Sequence, residues 1–396
     1  MTAVRPGRDD INKQSFDSIE DLIQDIRQGK IVILVDDEDR ENEGDLVLAA
    51  DHVTPAAINF MAAEARGLIC LALSSQQIEN LQLPLMVREE LNHTPNKTAF
   101  TVSIEASSGV STGISAADRA HTIRVASQPK ATPADVNRPG HVFPIRAQQG
   151  GVLRRAGHTE GSVDLAKLAG LNPAAVICEV MNSDGTMARV PDLISFAKKH
   201  GLRIGTIVDL IQYRLQHEAL VTEVVDYTQA YFSRSLPNGW KVRIFKNQID
   251  SVEHLVLQKG EFDPKQPHLV RIHIDNFIRD LFANFRTGES LLTRSVRRID
   301  QEGAGTIIIL RGFNSPMIQN ELKIFDPKPE AAGQGVQVDT RDYGIGAQIL
   351  RDLGLRKIRL LTNHSDRKVG LKAFDVEIVE TIPLTPASEN QSESRG

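Results

Sequence analysis

Apolar residues recur along the chain in two patterns, one typical of helices and one of buried strands. After a polar arm, Leu22, Ile23 and Ile26 follow a capping Ser18 at helical spacing. The first 218 residues contain apolar runs, which predict buried strands, and further stretches with helical spacing. The strands are predicted at 31–35, 46–50, 67–73, 99–105, 174–180 and 203–207, and the helices at 56–65, 163–169, 191–200 and 208–218.

The pattern pauses and then restarts in the second half of the chain. Residues 219–226 are predicted to be a linker, and residues 385–396, rich in Ser, Glu and Asn, a disordered tail. Between them, an amphipathic helix is predicted near 291–302 and strands at about 229–232, 241–245, 306–310 and 358–362. The sequence therefore predicts two domains, 1–218 and 227–384, each an α/β (α+β) unit with a mixed sheet and packed helices.

Composition and charge restrict the possible functions. Of 396 residues, 41% are hydrophobic and 24% charged, as in folded globular proteins. A net charge of −5 with 5% aromatic residues argues against nucleic-acid binding. No apolar run approaches the roughly 20 residues of a membrane-spanning helix, so no membrane role is expected. The only cysteines, Cys70 and Cys178, lie in apolar runs, which favours buried thiols in a reducing cytoplasm.

The most unusual stretch is the acidic segment 36–45, in which seven carboxylates surround Arg40 directly after a predicted buried strand. Burying even one unpaired carboxylate is costly, so the segment must be solvated or neutralised by a cation. A solvated acidic loop is one interpretation. A ligand site is the other, since α/β folds bind ligands in loops that follow buried strands. An EF-hand loop starting at Asp37 is excluded, because Asn42 and Leu48 replace its glycine and glutamate.

Four further pieces are candidates for chemistry. His141 is bracketed by Pro139-Gly140 and an apolar pair, although a lone histidine is usually structural. Residues 154–162 contain two arginines and Gly-His-Thr-Glu before a helical run, which resembles an anion site at a helix N-terminus. Glu179 lies within an apolar strand, which is uncommon for a carboxylate unless it is paired or catalytic. Residues 111–115, Ser-Thr-Gly-Ile-Ser, could hold a phosphate, but turns are favoured.

Together these pieces would supply a divalent cation site, an anion pocket and an acid/base pair. An oxygen-rich site with few soft ligands favours Mg²⁺ or Mn²⁺ over zinc. Such a site suits a phosphorylated sugar whose carbonyl group is polarised by the metal, so that the adjacent carbon can lose its proton.

Three motifs carry a family resemblance: the acidic segment 36–45, Asn-Arg-Pro-Gly-His-Val-Phe-Pro at 137–144, and Arg-x-Gly-His-Thr-Glu at 155–160. In this order they resemble 3,4-dihydroxy-2-butanone 4-phosphate synthase over about residues 15–218. The resemblance implies a homodimeric lyase of riboflavin biosynthesis that converts D-ribulose 5-phosphate to L-3,4-dihydroxy-2-butanone 4-phosphate and formate.

The same resemblance implies roles for individual residues. Glu41 and His158 would hold magnesium, and His141 and Glu179 would be catalytic in the proton transfers. The implied substrate-binding residues are Arg40, Glu41, Asp45, Arg155, Gly157, His158, Thr159 and Glu179, with Arg155, Gly157 and Thr159 at the phosphate end.

The second half, about 222–384, resembles GTP cyclohydrolase II through Arg271-Ile272-His273 and segment 339–350. The family's zinc site has three cysteines spaced Cys-x10-Cys-x-Cys, and its Glu-Gly-Arg-Gly stretch is replaced here by residues 312–316. The residues at the three cysteine positions are Asn276, Thr287 and Glu289.

The retained Asp339 and Arg341 are either a structural ion pair or a catalytic relic. We therefore expect no bound zinc and no GTP cyclohydrolase activity, because opening the guanine ring needs a metal-activated water. Two alternatives stay open: a bifunctional enzyme that also hydrolyses GTP, and a second domain that regulates the enzyme or stabilises a dimer.

Overall fold

The computed structural model describes residues 16–227, 239–263, 266–275, 280, 289–311, 340–363 and 371–384. The chain divides into two compact units, 1–213 and 214–396. No helix among the described residues is both long enough and apolar enough to cross a membrane.

The first unit is built on one mixed sheet. Its strands are β1 (Val32–Val35), β2 (Gly44–Ala49), β3 (Cys70–Leu73), β4 (Ile104–Ala106), β5 (Val136–Arg146), β6 (Ala174–Glu179) and β7 (Arg203–Thr206). They lie in the order β4-β5-β3-β6-β2-β1-β7. β1 runs parallel to β7 and β3 parallel to β5, and the other neighbours are antiparallel. The predicted mixed sheet is therefore confirmed.

Serine or threonine caps start four helices of this half of the chain. Ser18 Oγ accepts the backbone N–H of Asp21 at 3.2 Å, and Thr54 Oγ1 that of Ala57 at 3.1 Å, which satisfies N–H groups that lack a partner in the first turn. The helices are α1 (Ile19–Arg27), α2 (Pro55–Phe60), α3 (Ser75–Asn80), α4 (Ala116–Ala126), α5 (His158–Leu168), α6 (Val190–His200) and α7 (Ile207–His217), with a π-helix at Met61–Ala65 and 3₁₀ turns at Ala50–His52, Glu89–Leu91, Pro133–Asp135 and Gly151–Leu153.

Helices cover both faces of this sheet, which explains why β1, β2 and β3 are buried at every position. Ile58, Ile123 and Leu193, from α2, α4 and α6, belong to the main apolar core, and α1 and α5 pack against the strands and each other. Each large aliphatic side chain buried in this way stabilises the fold by about 1.5–3 kcal/mol. The apolar runs therefore fix the strands, and the polar loops emerge at their ends.

The second unit has its own mixed sheet. Its strands are β8 (Val221–Tyr227), β9 (Trp240–Asn247), β10 (Glu253–Lys259), β11 (His268–Ile274), β12 (Gly305–Leu310), β13 (Lys357–Leu361) and β14 (Glu377–Ile382), with helices α8 (Leu291–Glu302) and α9 (Thr340–Asp352) and a 3₁₀ turn at Leu371–Phe374. The order is β14-β13-β11-β12-β10-β9-β8. The neighbouring strands β12, β11, β13 and β14 are parallel to one another. The pairs β8–β9, β9–β10 and β10–β12 are antiparallel. Ile299 of α8 joins a core that includes Trp240 and Ile307.

The structure corrects the linker predicted at 219–226, because most of it lies in β8. This strand was hard to recognise, since a register shift between Glu223 and Val225 interrupts the alternation of polar and apolar residues. The strand predicted at 229–232 and the tail at 385–396 lie outside the described residues.

Candidate active site

Asp36 organises the acidic loop between β1 and β2. Its buried carboxylate accepts the backbone N–H of Glu41 at 3.1 Å and that of Glu43 at 2.8 Å, and pairs with Arg40 Nη1 at 2.7 Å. Because both of its oxygens accept hydrogen bonds, this carboxylate is compensated in its buried position. Asp36 therefore shapes the loop from within.

The side chain of Glu41 is held on two sides. Arg40 Nη1 donates to its Oε2 at 2.7 Å, and Asn96 Nδ2 donates to its Oε1 at 2.5 Å. Arg189, just before α6, donates to the backbone carbonyl of Glu41 at 2.8 Å. Two arginines thus offset part of the loop's negative charge, and Glu41 points in a fixed direction.

His158 is the first residue of α5 and faces the acidic loop. Its Nδ1 lies 3.5 Å from Glu41 Oε2 and 3.8 Å from Asp45 Oδ1. The helix is capped by Gly157, which provides no capping side chain, and a Cβ at this position would collide with Arg155 Nη1. A helix start without a capping side chain presents backbone N–H groups and a positive dipole end, which together attract anions.

Asp45 and Glu179 meet across the β2–β6 ladder, where they are register partners. Glu179 Oε2 accepts the backbone N–H of Leu68 at 2.8 Å, which fixes the carboxylate at the strand end. Asp45 is fully buried, and burial raises its pKa to about 7, with the charge of Glu179 adding to the shift and that of His158 opposing it. The site thus contains a carboxyl group that titrates near neutral pH.

The charges of Glu41 and His158 stabilise each other. The hydrogen bond from His158 lowers the pKa of Glu41 to about 2 despite partial burial, and Arg40 adds to this effect. Burial alone would lower the pKa of His158, but the carboxylates of Asp45 and Glu41 outweigh it and raise the pKa to about 9. Without a bound cation, His158 is therefore an imidazolium, and a metal ion would have to displace its proton.

Among the described residues, Asp36, Glu41 and His158 bring possible ligand atoms within 4.8 Å of one another. Both oxygens of Asp36 accept backbone N–H groups that shape the loop, whereas the oxygens of Glu41 accept only from the side chains of Arg40 and Asn96. Side-chain donors can move aside for an ion, so Glu41 and His158 are the better candidates. Two buried atoms beside them, Asp45 Oδ1 and His158 Nε2, have no hydrogen-bond partner among the described residues. The Asp45 oxygen lies 3.8 Å from His158 Nδ1, and a buried carboxylate oxygen without a donor fits a site that binds a cation or a polar substrate.

Arg155 is engaged inside the protein. Its Nη1 donates to Glu160 Oε2 at 2.7 Å, and its Nη2 donates to the backbone carbonyl of Asn96 at 3.1 Å. Glu160 is almost completely buried, and its second oxygen accepts the N–H of Gln148 at 2.9 Å. Arg155 therefore ties the segment around Asn96 to α5, and its predicted contact with a phosphate stays a prediction.

His141 has a different neighbourhood from the acidic loop. It lies on β5, which β3 separates from β6 and Glu179. Its Nδ1 lies 2.7 Å from Glu105 Oε2. The structure thus brings Arg40, Glu41, Asp45, His158 and Glu179 together and pairs His141 with a carboxylate of its own.

Sequence reasoning missed four residues that shape the site, namely Asp36 as loop organiser, Asn96, Glu105 and Glu160. An acid at the end of the predicted strand 99–105 was the only available signal for Glu105. Asn96 lies in a loop with no periodicity, and its contact with Glu41 spans 55 residues of sequence. Such long-range contacts leave no local pattern.

In the second unit, Glu289 is buried and paired with arginines. Arg297 Nη1 donates to its Oε2 at 3.1 Å, and Arg294 Nε lies 3.8 Å from the same oxygen. Segment 214–396 contains no cysteine. The other positions singled out in this half lie outside the described residues, or have side chains that do: Asn276, Thr287, 312–316, Asp339 and Arg341.

Comparisons with known proteins match both halves. The family 3,4-dihydroxy-2-butanone 4-phosphate synthase matches residues 20–213, and GTP cyclohydrolase II matches residues 228–383. The chain is 49% identical over 384 residues to the riboflavin biosynthesis protein RibBA of Aquifex aeolicus (strain VF5), covering 93% of this chain and 92% of that protein. It is 47% identical over 378 residues to a 3,4-dihydroxy-2-butanone 4-phosphate synthase of Pseudomonas syringae pv. tomato (strain ATCC BAA-871 / DC3000), covering 93% and 99%.

A solved structure has the same two-domain fold. RibBX, a two-domain 3,4-dihydroxy-2-butanone 4-phosphate synthase from A. baumannii, matches with a TM-score of 0.75 and 42% sequence identity, over 92% of this chain and 99% of that chain. The protein is accordingly an enzyme of the 3,4-dihydroxy-2-butanone 4-phosphate synthase class. It belongs to the family of riboflavin biosynthesis proteins, represented by RibBA, in which this synthase domain is fused to a GTP cyclohydrolase II domain. Both family resemblances drawn from the sequence are confirmed.

Proposed function

We propose that the first unit converts D-ribulose 5-phosphate to L-3,4-dihydroxy-2-butanone 4-phosphate and formate. The observation that carries the proposal is the cluster of Glu41, Asp45 and His158 beside Glu179. It combines candidate cation ligands with two further carboxyl groups that can act as acid or base, as a proton-transfer sequence on a sugar requires. The two products together contain every atom of the substrate, so no oxidant or reductant is needed.

Glu41 and His158 would hold Mg²⁺ or Mn²⁺. When bound, the ion polarises the substrate carbonyl and makes the neighbouring C–H more acidic. One imidazole among carboxylate oxygens suits these hard cations better than zinc. Asn96 and Arg40 keep the Glu41 carboxylate oriented for this role.

Asp45, Glu179 and His141 would move protons. With a pKa of about 7, Asp45 can both accept and release a proton at neutral pH. The Leu68 N–H holds one oxygen of Glu179. The other oxygen can then face the substrate, and His141 would serve as a second acid/base group.

The N-terminus of α5 would receive the phosphate. Gly157 precedes the first turn and Thr159 lies within it, and the N–H groups and dipole of this turn favour an anion. Arg40 and Arg155 would contribute positive charge nearby.

For the second unit we propose a cyclohydrolase-type fold without bound zinc and without GTP hydrolysis. The zinc site of the cyclohydrolase family uses three thiolates, and segment 214–396 has no cysteine. Glu289, at a family cysteine position, is instead held by Arg297 and Arg294. As an alternative to having no function, the second unit would regulate the enzyme or stabilise a dimer.

We further propose a cytoplasmic homodimer that binds neither nucleic acid nor membrane. Five apolar side chains of the first unit are between 44% and 60% exposed, namely Leu68, Met86, Val87, Leu91 and Ile114. These residues are candidate contacts for a second copy, because contiguous exposed apolar surface marks interaction sites. The two free, buried cysteines suit a reducing compartment. Light scattering after size exclusion tests the dimer, and a monomer mass would contradict it.

The decisive experiment supplies the purified chain with D-ribulose 5-phosphate and with GTP in separate reactions, each with Mg²⁺, Mn²⁺ or Zn²⁺. We expect formate from the sugar phosphate with Mg²⁺ or Mn²⁺, and no pyrophosphate from GTP. Absence of formate from the sugar would contradict the lyase proposal. Pyrophosphate from GTP, or about one zinc per chain by mass spectrometry, would show that the second unit is a cyclohydrolase.

A further inference from the structure

We propose that Glu105 is a positioning residue for His141, which it orients so that Nε2 acts on the substrate. The inference rests on the proposed function, because it assigns a partner to one of its acid/base groups. Glu105 Oε2 lies 2.7 Å from His141 Nδ1. The Glu105 side chain is 12% exposed and that of His141 is 45% exposed, so the carboxylate lies beneath a ring that faces solvent.

This contact decides which ring nitrogen is free. A carboxylate only accepts hydrogen bonds, so Nδ1 must carry the proton that joins the two side chains. In the neutral ring, Nε2 then has the lone pair, and it is the nitrogen available to a substrate. A histidine used as a base needs this single tautomer, which a free surface imidazole does not maintain.

Two glycines allow Glu105 to approach this closely. A Cβ at Gly113, which has φ of +90°, would collide with the Glu105 carboxylate. A Cβ at Gly140, the residue before His141, would collide with the backbone carbonyl of Ile104. The Gly140 N–H also donates to Ser103 Oγ at 3.1 Å. Glycines therefore lie at two positions beside the Glu105–His141 pair where a larger residue would collide with its surroundings.

The register and a second polar neighbour fix the carboxylate. β4 pairs with β5 through a register shift between Ile104 and Glu105, and a bulge of this kind redirects a side chain. Thr122 Oγ1, which accepts the N–H of Ala106 at 3.0 Å, lies 3.5 Å from Glu105 Oε1. An ordinary exposed ion pair contributes little to stability and requires neither the glycines nor the register shift.

The test is a double-mutant cycle on lyase turnover with Glu105→Gln, His141→Ala and the combined variant. We expect Glu105→Gln to lower kcat by about tenfold or more and to change KM little. The upper limit of the loss is the roughly 10²- to 10⁴-fold that an acid/base group contributes in all. Glu105→Asp, which keeps the charge, should recover part of the loss. In the His141→Ala background, Glu105→Gln should have no further effect, because Glu105 acts through the ring.

Asp135→Asn is the matched control. Asp135 closes a capping box with Thr132 just before β5, so its loss should lower stability without lowering kcat. If Glu105→Gln lowers kcat equally in both backgrounds, Glu105 supports the fold or contacts the substrate itself, and the proposal is wrong.

A spectroscopic measurement separates this inference from the proposed activity. With ¹⁵N-labelled histidine, and the His141 signals assigned by their loss in His141→Gln, the ring shifts should show a proton on Nδ1 in the wild type. In Glu105→Gln we expect a mixture of tautomers. An unchanged His141 spectrum overturns the positioning role whether or not lyase activity is found. A chain without lyase activity but with the expected spectral change overturns the proposed function alone.

Discussion

Asp45 and Glu179 lie directly opposite each other on the antiparallel strands β2 and β6. Facing residues in such a ladder project from the same face of the sheet, so two carboxylates share one end of it. Burial raises the pKa of Asp45 to about 7, whereas the hydrogen bond from His158 keeps the pKa of Glu41 at about 2. Glu41, which stays charged, is thus suited to binding a cation, and Asp45 is suited to exchanging a proton.

Replacing Glu41 by alanine should abolish lyase activity, because the loop would lose the carboxylate that faces His158. Calorimetric titration should show Mg²⁺ or Mn²⁺ binding weakened by at least the roughly 10- to 100-fold that follows loss of a supporting contact. Glu38→Gln is the matched control, since Glu38 is exposed in the same loop. Equal metal affinity in Glu41→Ala and Glu38→Gln would refute the ligand role.

His141→Ala and Glu179→Ala should each lower kcat by about 10²- to 10⁴-fold and change KM little, because acid/base groups act mainly in the transition state. Steady-state kinetics with D-ribulose 5-phosphate measures both constants. Thermal unfolding midpoints should stay close to that of the wild type. A variant that is inactive only because it melts early would not support a catalytic role.

Gly67→Ala should impair catalysis by displacing Glu179, although Gly67 itself takes no part in the reaction. An added Cβ would collide with the backbone carbonyl of Glu179 and lie 2.7 Å from its Oε2. We expect lower kcat together with a loss of about 1–3 kcal/mol in the free energy of unfolding, as for other overpacked sites. Gly346→Ala, where the nearest atom would be 3.3 Å away, is the comparison in the second unit and should keep full lyase activity. Unchanged kcat in Gly67→Ala would show that Glu179 tolerates displacement.

The second unit should lose stability in mild acid because it buries two neutral histidines. Burial lowers the pKa of both His254 and His268 from 6.5 to about 4. Between these values the unfolded chain binds more protons than the folded one, so the free energy of unfolding falls as pH decreases from 6.5 to 4. The loss is roughly 1.4 kcal/mol per pH unit for each histidine.

Trp240 is the only tryptophan and lies in the core of this unit, so its fluorescence during urea unfolding reports the effect. The double substitution His254→Gln and His268→Gln should flatten the difference between pH 6.5 and pH 4.5. The same pH dependence in wild type and variant would mean that other groups cause it.

The sequence predicted elements with strong local patterns and missed those whose partners are remote. Helix α8 is predicted near 291–302 and spans Leu291–Glu302, because its apolar stripe is a local signal. Strand β8 was interpreted as a linker, since its bulge disrupts the period of two. Glu41 and His158 were predicted as a pair from motifs. The Glu105–His141 contact depends on two adjacent strands with a shifted register, which no local spacing reveals.

One side chain of α9 determines where the chain can be divided for practical purposes. The Gln348 amide accepts the N–H of Leu220 at 2.8 Å and donates to the carbonyls of Leu215 at 2.5 Å and Glu218 at 2.9 Å. Gln348 thus links the end of α7 and the start of β8, which both belong to the second unit from residue 214 onward, to α9. Fragments or chimaeras cut near residue 219, where the linker was predicted, would separate this amide from the carbonyls of Leu215 and Glu218. Exchange of whole modules between related enzymes should instead carry residues 214–220 along with the second half.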